Sequence, residues 1–333
     1  KHYLAIEFAE VLGADAVYFR YYDDNRFCVP QVYFYDNSLL NKSKQEIAEI
    51  HKKVYSSCQV PIICVIDEIN ISLFDCRIPV TEASNGTISN EKTLFKREKI
   101  SNIDILKKYF SAKTLNFGLF WESDEASNYF LNNKSAYEKL VQVLTELRND
   151  FIKVFVKGNI SKDFADDLLF KCILIKYLEE NGKDQVNNFA KDFYYRNDIG
   201  YDSLKEILEN NKIVPLLESL ENHFNGGVFD LSNDEKKLLH SQDLTTLAEH
   251  LEGKLSTRNQ MSLWKIYSFK NIPIELISNF YEEFIPKNIE NKGTVYTPSF
   301  LVNLLIDECL PLNRSQTQYD VKLIDVSCGS GIF

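Results

Sequence analysis

An α/β plus all-α chain is predicted, in three parts: a small α/β unit over residues 1–115, a helical body over 116–290, and the opening of a further α/β unit over 291–333. Two observations carry this. Apolar residues alternate in short runs in the first part and then switch to helical spacing near residue 100. Much later, Val321, Leu323, Ile324 and Val326 form a short apolar run that leads into an acid and a small-residue turn, as a buried parallel strand does.

In the first part, Ala5 to Leu12 reads as a short helix. Ala16-Val17-Tyr18-Phe19-Arg20-Tyr21 and Val32-Tyr33-Phe34-Tyr35 are rich in aromatic and β-branched residues and read as strands. Ser43 to Ser56 is a helix with Ile47, Ile50 and Val54 on one face. Pro61 to Ile66 is a buried strand. Ile69 to Phe74 alternates, with Ile69, Ile71 and Leu73 on one face, and is expected to pair antiparallel with it. Residues 85–100 are polar and read as a loop, in which Lys92, Lys96, Arg97 and Lys99 form a solvated face rather than a phosphate site.

Two strands, a helix and two strands in this order resemble the core of the PD-(D/E)xK nucleases. That chemistry needs an Asp, then an acid or Gln, then a Lys two residues later, to hold a metal and activate water. The candidate acids are Asp23 and Asp24, but the strand that should carry the second pair reads Gln31-Val32-Tyr33, without the lysine. The unit is therefore expected to be a degenerate nuclease-like or other scaffold domain with no metal-dependent cleavage.

The helical body shows apolar stripes at Leu140, Leu144, Leu147, Phe151 and Val154, and at Ala165, Leu168, Leu169, Cys172, Ile173 and Tyr177. A third runs from Leu204 to Phe224 through Ile207, Leu208, Leu216, Leu217 and Leu220. These stripes are core. Asn225-Gly226-Gly227 breaks the pattern, and Leu244–Leu251 and Pro273–Phe284 are further helices.

Composition restricts the function. A hydrophobic content of 44% with 26% charged residues is ordinary for a soluble globular protein. There is no run of 18 apolar residues and no signal-peptide pattern, so no membrane partner and a cytoplasmic location are expected. The seven cysteines and five histidines show no ligand spacing, which points to reduced thiols and no metal. A net charge of −10 confines any nucleic-acid contact to a local patch. The chain begins at Lys1, holds one methionine (Met261) and stops at Phe333 just after a turn, so it reads as a fragment of a longer protein.

The last forty residues carry the chemistry. Thr297 suits an N-cap and Pro298 the first helical position, with Phe300, Leu301, Leu304, Leu305 and Ile306 following as an amphipathic helix. Gly329, Ser330 and Gly331 remove side chains where a ligand must approach the backbone. Such a turn alone serves dinucleotides, nucleoside triphosphates or S-adenosylmethionine. There is no GxxxxGK[ST], so no phosphate-cradling lysine.

Together, Gly293-Thr294-Val295-Tyr296-Thr297-Pro298 and Asp325-Val326-Ser327-Cys328-Gly329-Ser330-Gly331-Ile332-Phe333 resemble motif X (G-x-x-Y-T-P) and motif I (D-P-x-C-G-S-G-x-F) of the amino-methylating DNA methyltransferases. The order and spacing resemble those of the adenine-N6 enzymes of type I and fused type IIG restriction–modification systems. Val326 departs from the family, which has Pro there. Phe224-Asn225-Gly226-Gly227-Val228-Phe229 is similar to the family's "fNGglF" turn, and Ile272 to Phe284 to its "IPielis-iYEeF" helix. The resemblance covers 116–333 and, more loosely, 1–115.

It implies a Rossmann-like S-adenosylmethionine-dependent domain. Tyr296, Thr297 and Pro298 would close one side of the methionyl group. Asp325 would accept from its ammonium or from the turn. Backbone N–H groups of Cys328, Gly329, Ser330 and Gly331 would meet it from the other side. The implied partners are double-stranded DNA and a specificity subunit or fused target-recognition domain. The family's N-P-P-[FYW] loop does not occur in residues 1–333, so no catalytic residue is expected here. Two other readings stand beside this one. A non-catalytic helical module for docking DNA or a specificity subunit would lack a cofactor pocket. A dinucleotide-binding oxidoreductase would have no use for motif X.

Overall fold

A computed structural model describes residues 2–20, 29–40, 42–83, 85–131, 136–155, 161–181, 189–225, 227–251 and 267–272, and positions 276, 277, 301, 305, 309 and 324. Helix α1 (His2–Val11) leads into the hairpin β1 (Ala16–Arg20) and β2 (Val29–Asp36). The short α2 (Asn37–Leu40) and α3 (Lys44–Ser57) then cross to β3 (Ile62–Ile66), which lies parallel to β2. β4 (Asn70–Asp75) returns antiparallel to β3, as its alternation predicts.

α3 starts where its sequence says it should. Ser43 caps the Glu46 N–H while the Glu46 carboxylate accepts from the Ser43 N–H, a reciprocal capping box. It ends at Cys58, held in the left-handed region at φ 53°.

The stretch 85–100 is not the loop its composition suggests. After a two-stranded ribbon of β5 (Thr81–Glu82) and β6 (Ile88–Ser89) and a 3-10 turn at Glu91–Thr93, residues Leu94–Lys99 form β7. β7 pairs antiparallel with β4 and closes a five-stranded sheet of order β1-β2-β3-β4-β7. It is an edge strand, and its charged side chains are what an exposed edge requires, so charge masked the strand pattern.

Both faces of the sheet are covered. α1 and α3 pack on one face against Tyr33, Tyr35, Ile63, Val65 and Phe74. The other face carries Val32, Ile62, Cys64 and Leu73. It is covered by α4 (Ile103–Phe110), α5 (Ala112–Asn116), α6 (Leu119–Glu122) and α7 (Asp124–Leu131), through Tyr109, Leu115, Phe120, Ala126 and Phe130. This core takes in residues on both sides of position 115.

From residue 136 every described element is helical: α8 (Ala136–Phe155), α9 (Lys162–Asn181), α10 (Phe189–Arg196), α11 (Leu204–Glu209), α12 (Ile213–Phe224), α13 (Asn233–Ser241), α14 (Thr245–Leu251) and a 3-10 turn at Phe269–Asn271. α9 is buried on most sides, and its buried charges are partnered. Asp166 accepts from the Arg148 guanidinium, Lys171 donates to Asp167 and to the Asp230 carbonyl, and Glu179 accepts from Tyr194 and the Leu204 N–H. The single helix expected over Leu204–Phe224 is two. Asn211 takes φ 52°, a conformation asparagine tolerates better than most residues, and ends α11.

Candidate functional site

The eight residues singled out for cofactor binding (Tyr296, Thr297, Pro298, Asp325, Cys328, Gly329, Ser330 and Gly331) all lie outside the described residues, as do Asp23 and Asp24. Around them, Leu301, Leu305 and Cys309 are helical and share one face, in line with the helix expected after Pro298. That face is exposed, at 37% for Leu301 and 42% for Leu305. Ile324, expected inside a buried strand, is 88% exposed. A buried parallel strand needs neighbours on both sides, and no described strand pairs with it.

The α/β unit places Gln31 where alternation alone would not. Tyr18 pairs with Val32 and Phe19 with Pro30, so Gln31 is the extra residue of a β-bulge. It joins Val32, Tyr109 and Trp121 around a cavity of about 10 Å³. Its carboxamide oxygen is buried there without a partner among the described residues. The α5–α6 turn packs against β1 beside it. Tyr18 donates to Asn116 Oδ1 at 2.6 Å, and the Arg20 guanidinium packs directly over Gly118. Gly118 sits at φ +74°, where a side chain would be strained and would run into Arg20.

A second cluster lies deep under β4. The His51 ring bonds the Ile78 carbonyl at 2.9 Å and faces Cys76 Sγ at 3.9 Å and Thr93 Oγ1 at 3.5 Å. A Cys–His pair can be a nucleophile and its base. Here burial pushes His51 down to about 4 and Cys76 well above the usual thiol range, which disfavours the thiolate that such a nucleophile needs. Beside it, fully buried Asp75 accepts two bonds of 3.0 Å from Arg77. Arg77 in turn donates to the Phe130 carbonyl, and Lys139 donates to the Arg77 carbonyl, each at 2.6 Å. The network ties β4 to the end of α7 and the start of α8. Sequence reading missed it because its members are scattered over 89 positions of the chain, from His51 to Lys139.

The Asn225–Phe229 turn is organised by a residue not singled out before. The Glu221 carboxylate accepts from the N–H groups of Gly227 at 2.7 Å and Phe229 at 3.0 Å. Asn225 adopts φ 51° and Phe229 is buried. An acid one turn ahead of the Asn-Gly pair was the signal. Among the described residues no group of His, Cys, Asp or Glu converges as metal ligands, and no helix is long and apolar enough to cross a membrane. Comparisons with protein-family models, with curated proteins and with solved structures find no match to this chain.

Proposed function

We propose that this chain is part of a site-specific DNA methyltransferase that transfers a methyl group from S-adenosylmethionine to adenine N6, within a restriction–modification or phage-defence system. The observation that carries this is the pair of motifs, Tyr296-Thr297-Pro298 and Asp325 to Phe333, in that order and at that spacing. Tyr296, Thr297, Pro298, Asp325, Cys328, Gly329, Ser330 and Gly331 are the residues that would hold the donor. S-adenosylmethionine supplies an electrophilic methyl. This chain's residues supply its binding, through a carboxylate and a turn whose backbone N–H groups no side chain blocks. Methylation of adenine in a duplex also needs the base flipped and its amino group aligned, and residues 1–333 contain no N-P-P-[FYW] to do that. The proposed partners are duplex DNA and a specificity subunit or fused target-recognition domain, in the cytoplasm. A non-catalytic docking module is the alternative, and cofactor binding separates the two.

Titration calorimetry with S-adenosylmethionine tests the reading. Asp325→Ala removes a charge-assisted hydrogen bond of about 1.5–3 kcal/mol, roughly ten- to a hundredfold in affinity. Gly329→Val places a branched side chain where backbone must meet ligand and is expected to weaken binding similarly. Tyr296→Ala is expected to do less. Unchanged affinity in both Asp325→Ala and Gly329→Val removes the methyltransferase reading.

A further inference from the structure

A chain with net charge −10 needs a local patch to meet DNA, and the chain has one. Residues 91–108 hold six cations (Lys92, Lys96, Arg97, Lys99, Lys107 and Lys108) against three acids, Glu91, Glu98 and Asp104, a local balance of +3. The stretch begins at the rim, because β7 is the edge of the sheet and α4 follows it directly, with Lys96 and Lys108 both near the Tyr109 ring; α5 then reaches the opposite edge at β1. As an edge strand, β7 also turns one row of backbone N–H groups outward.

At the start of β4 and the end of β7 this rim carries a shallow, solvent-open depression lined by Asn70, Arg97, Glu98, Lys99, Ser101 and Asn102. The lining is two cations, two carboxamides, a hydroxyl and a single acid. That acid, Glu98, lies 3.7 Å from Lys96, which is shared with Glu125 at 3.1 Å. Arg97 is pre-aligned, its Nε donating to Ser72 Oγ at 3.1 Å. Its other contact, to Glu91 at 3.6 Å, is a half-exposed pair of the kind that contributes little. Lys99 is exposed. Lys107 and Lys108, also exposed, continue the same sign along α4.

Against the solvated face that composition alone suggests, the geometry points to the β7 rim as the surface that receives the phosphodiester backbone of duplex DNA, with Arg97 and Lys99 as its phosphate contacts. The depression's donors match an anionic, acceptor-rich chain. The absence of exposed aromatics among its lining residues suits backbone contact rather than base stacking. This rests on the DNA-methyltransferase reading for the identity of the polyanion, and the test separates the two.

Binding of a fluorescent duplex of arbitrary sequence by the full chain is measured by anisotropy across a salt series. Each lost phosphate contact makes the slope of log affinity against log salt shallower by about 0.9, so Arg97→Gln/Lys99→Gln is expected to flatten it by about 2 and weaken all sequences alike. Lys99→Gln alone, which disturbs no Arg97 bond, is expected to flatten it by about 1. Lys205→Gln/Lys237→Gln, on the helical body, is the control and leaves the slope unchanged. An unaltered slope in the Lys99→Gln chain, or equal flattening by the control, overturns the proposal, as does a wild-type chain that binds no duplex at low salt. S-adenosylmethionine calorimetry on the same variants keeps the two readings apart. Intact cofactor binding with an unaltered DNA slope sinks the rim and spares the methyltransferase. A flattened slope without cofactor binding does the reverse.

Discussion

His51 shows what a buried side chain costs under acid. It is fully buried, its ring held by the Ile78 carbonyl, and burial lowers it from 6.5 to about 4. The unfolded chain therefore binds a proton between those values that the folded chain refuses, so stability rises with pH across the window. It is fully present above 6.5 and is lost as pH falls towards 4. A shift of this size corresponds to about 3 kcal/mol, from 1.36 kcal/mol per unit. Urea unfolding of the wild type at pH 7 and pH 4.5 is expected to show this loss. His51→Gln is expected to be less stable at pH 7 yet to lose much less on acidification. An identical acid loss in the variant would place the titrating group elsewhere. Neither the role of this histidine nor that of Asp75 was legible in the sequence. Each depends on groups brought together only by the crossover from α3 to the sheet, and no spacing along the chain announces it.

The elements divide by how much of their environment is periodic. α3 and α8 were legible because one face repeats and, for α3, because Ser43 and Glu46 mark its start, and α9 because its apolar run is long enough for a buried helix. β3 and β4 were legible because each is a short apolar or alternating run. β7 was not, since an edge strand keeps its charges, and the bulge at Gln31 was not, since it breaks the alternation used to find strands. The cofactor motifs were legible as motifs, but no described geometry accompanies them. Gly118 is a position where local conformation and packing agree. Its φ of +74° favours glycine, and Arg20 occupies the space a Cβ would enter. Gly118→Ala is expected to cost about 1–2 kcal/mol, nearly all from the left-handed backbone, because a guanidinium at the end of a flexible side chain can move aside. Thermal unfolding measures it. A variant as stable as the wild type would mean that the α5–α6 turn rearranges and does not stay packed against Arg20.

The sheet and the helical body are joined through a strap that no sequence pattern foretold. Tyr55, on α3 beneath the sheet, belongs to the core of the helical body. Its ring lies 5.0 Å from that of Tyr267, and the two hydroxyls bond at 2.8 Å across 212 positions of sequence. The next two residues repeat the attachment: the Ser268 N–H donates to Ser56 Oγ at 2.8 Å, and the Phe269 N–H to the Glu180 carboxylate at 2.9 Å. One short segment thus grips the last turn of α3 and the end of α9 together. Contacts this distant in sequence form late and are costly in loop-closure entropy. What offsets that cost is two almost fully buried tyrosines, each with its hydroxyl satisfied by the other. Tyr267→Phe keeps the ring but leaves the Tyr55 hydroxyl buried without its partner, at about 1–3 kcal/mol. Tyr267→Ala also empties the space between α3 and α9, at about 3–5 kcal/mol. If the strap couples the two halves, the wild type unfolds with coincident transitions whether strand or helix signal is followed. In Tyr267→Ala the transitions separate, with the helical signal of 136–251 and the sheet melting at different urea concentrations. Coincident transitions in Tyr267→Ala, at a midpoint close to that of the wild type, would show that the halves are coupled elsewhere and that the tyrosine pair merely fills space.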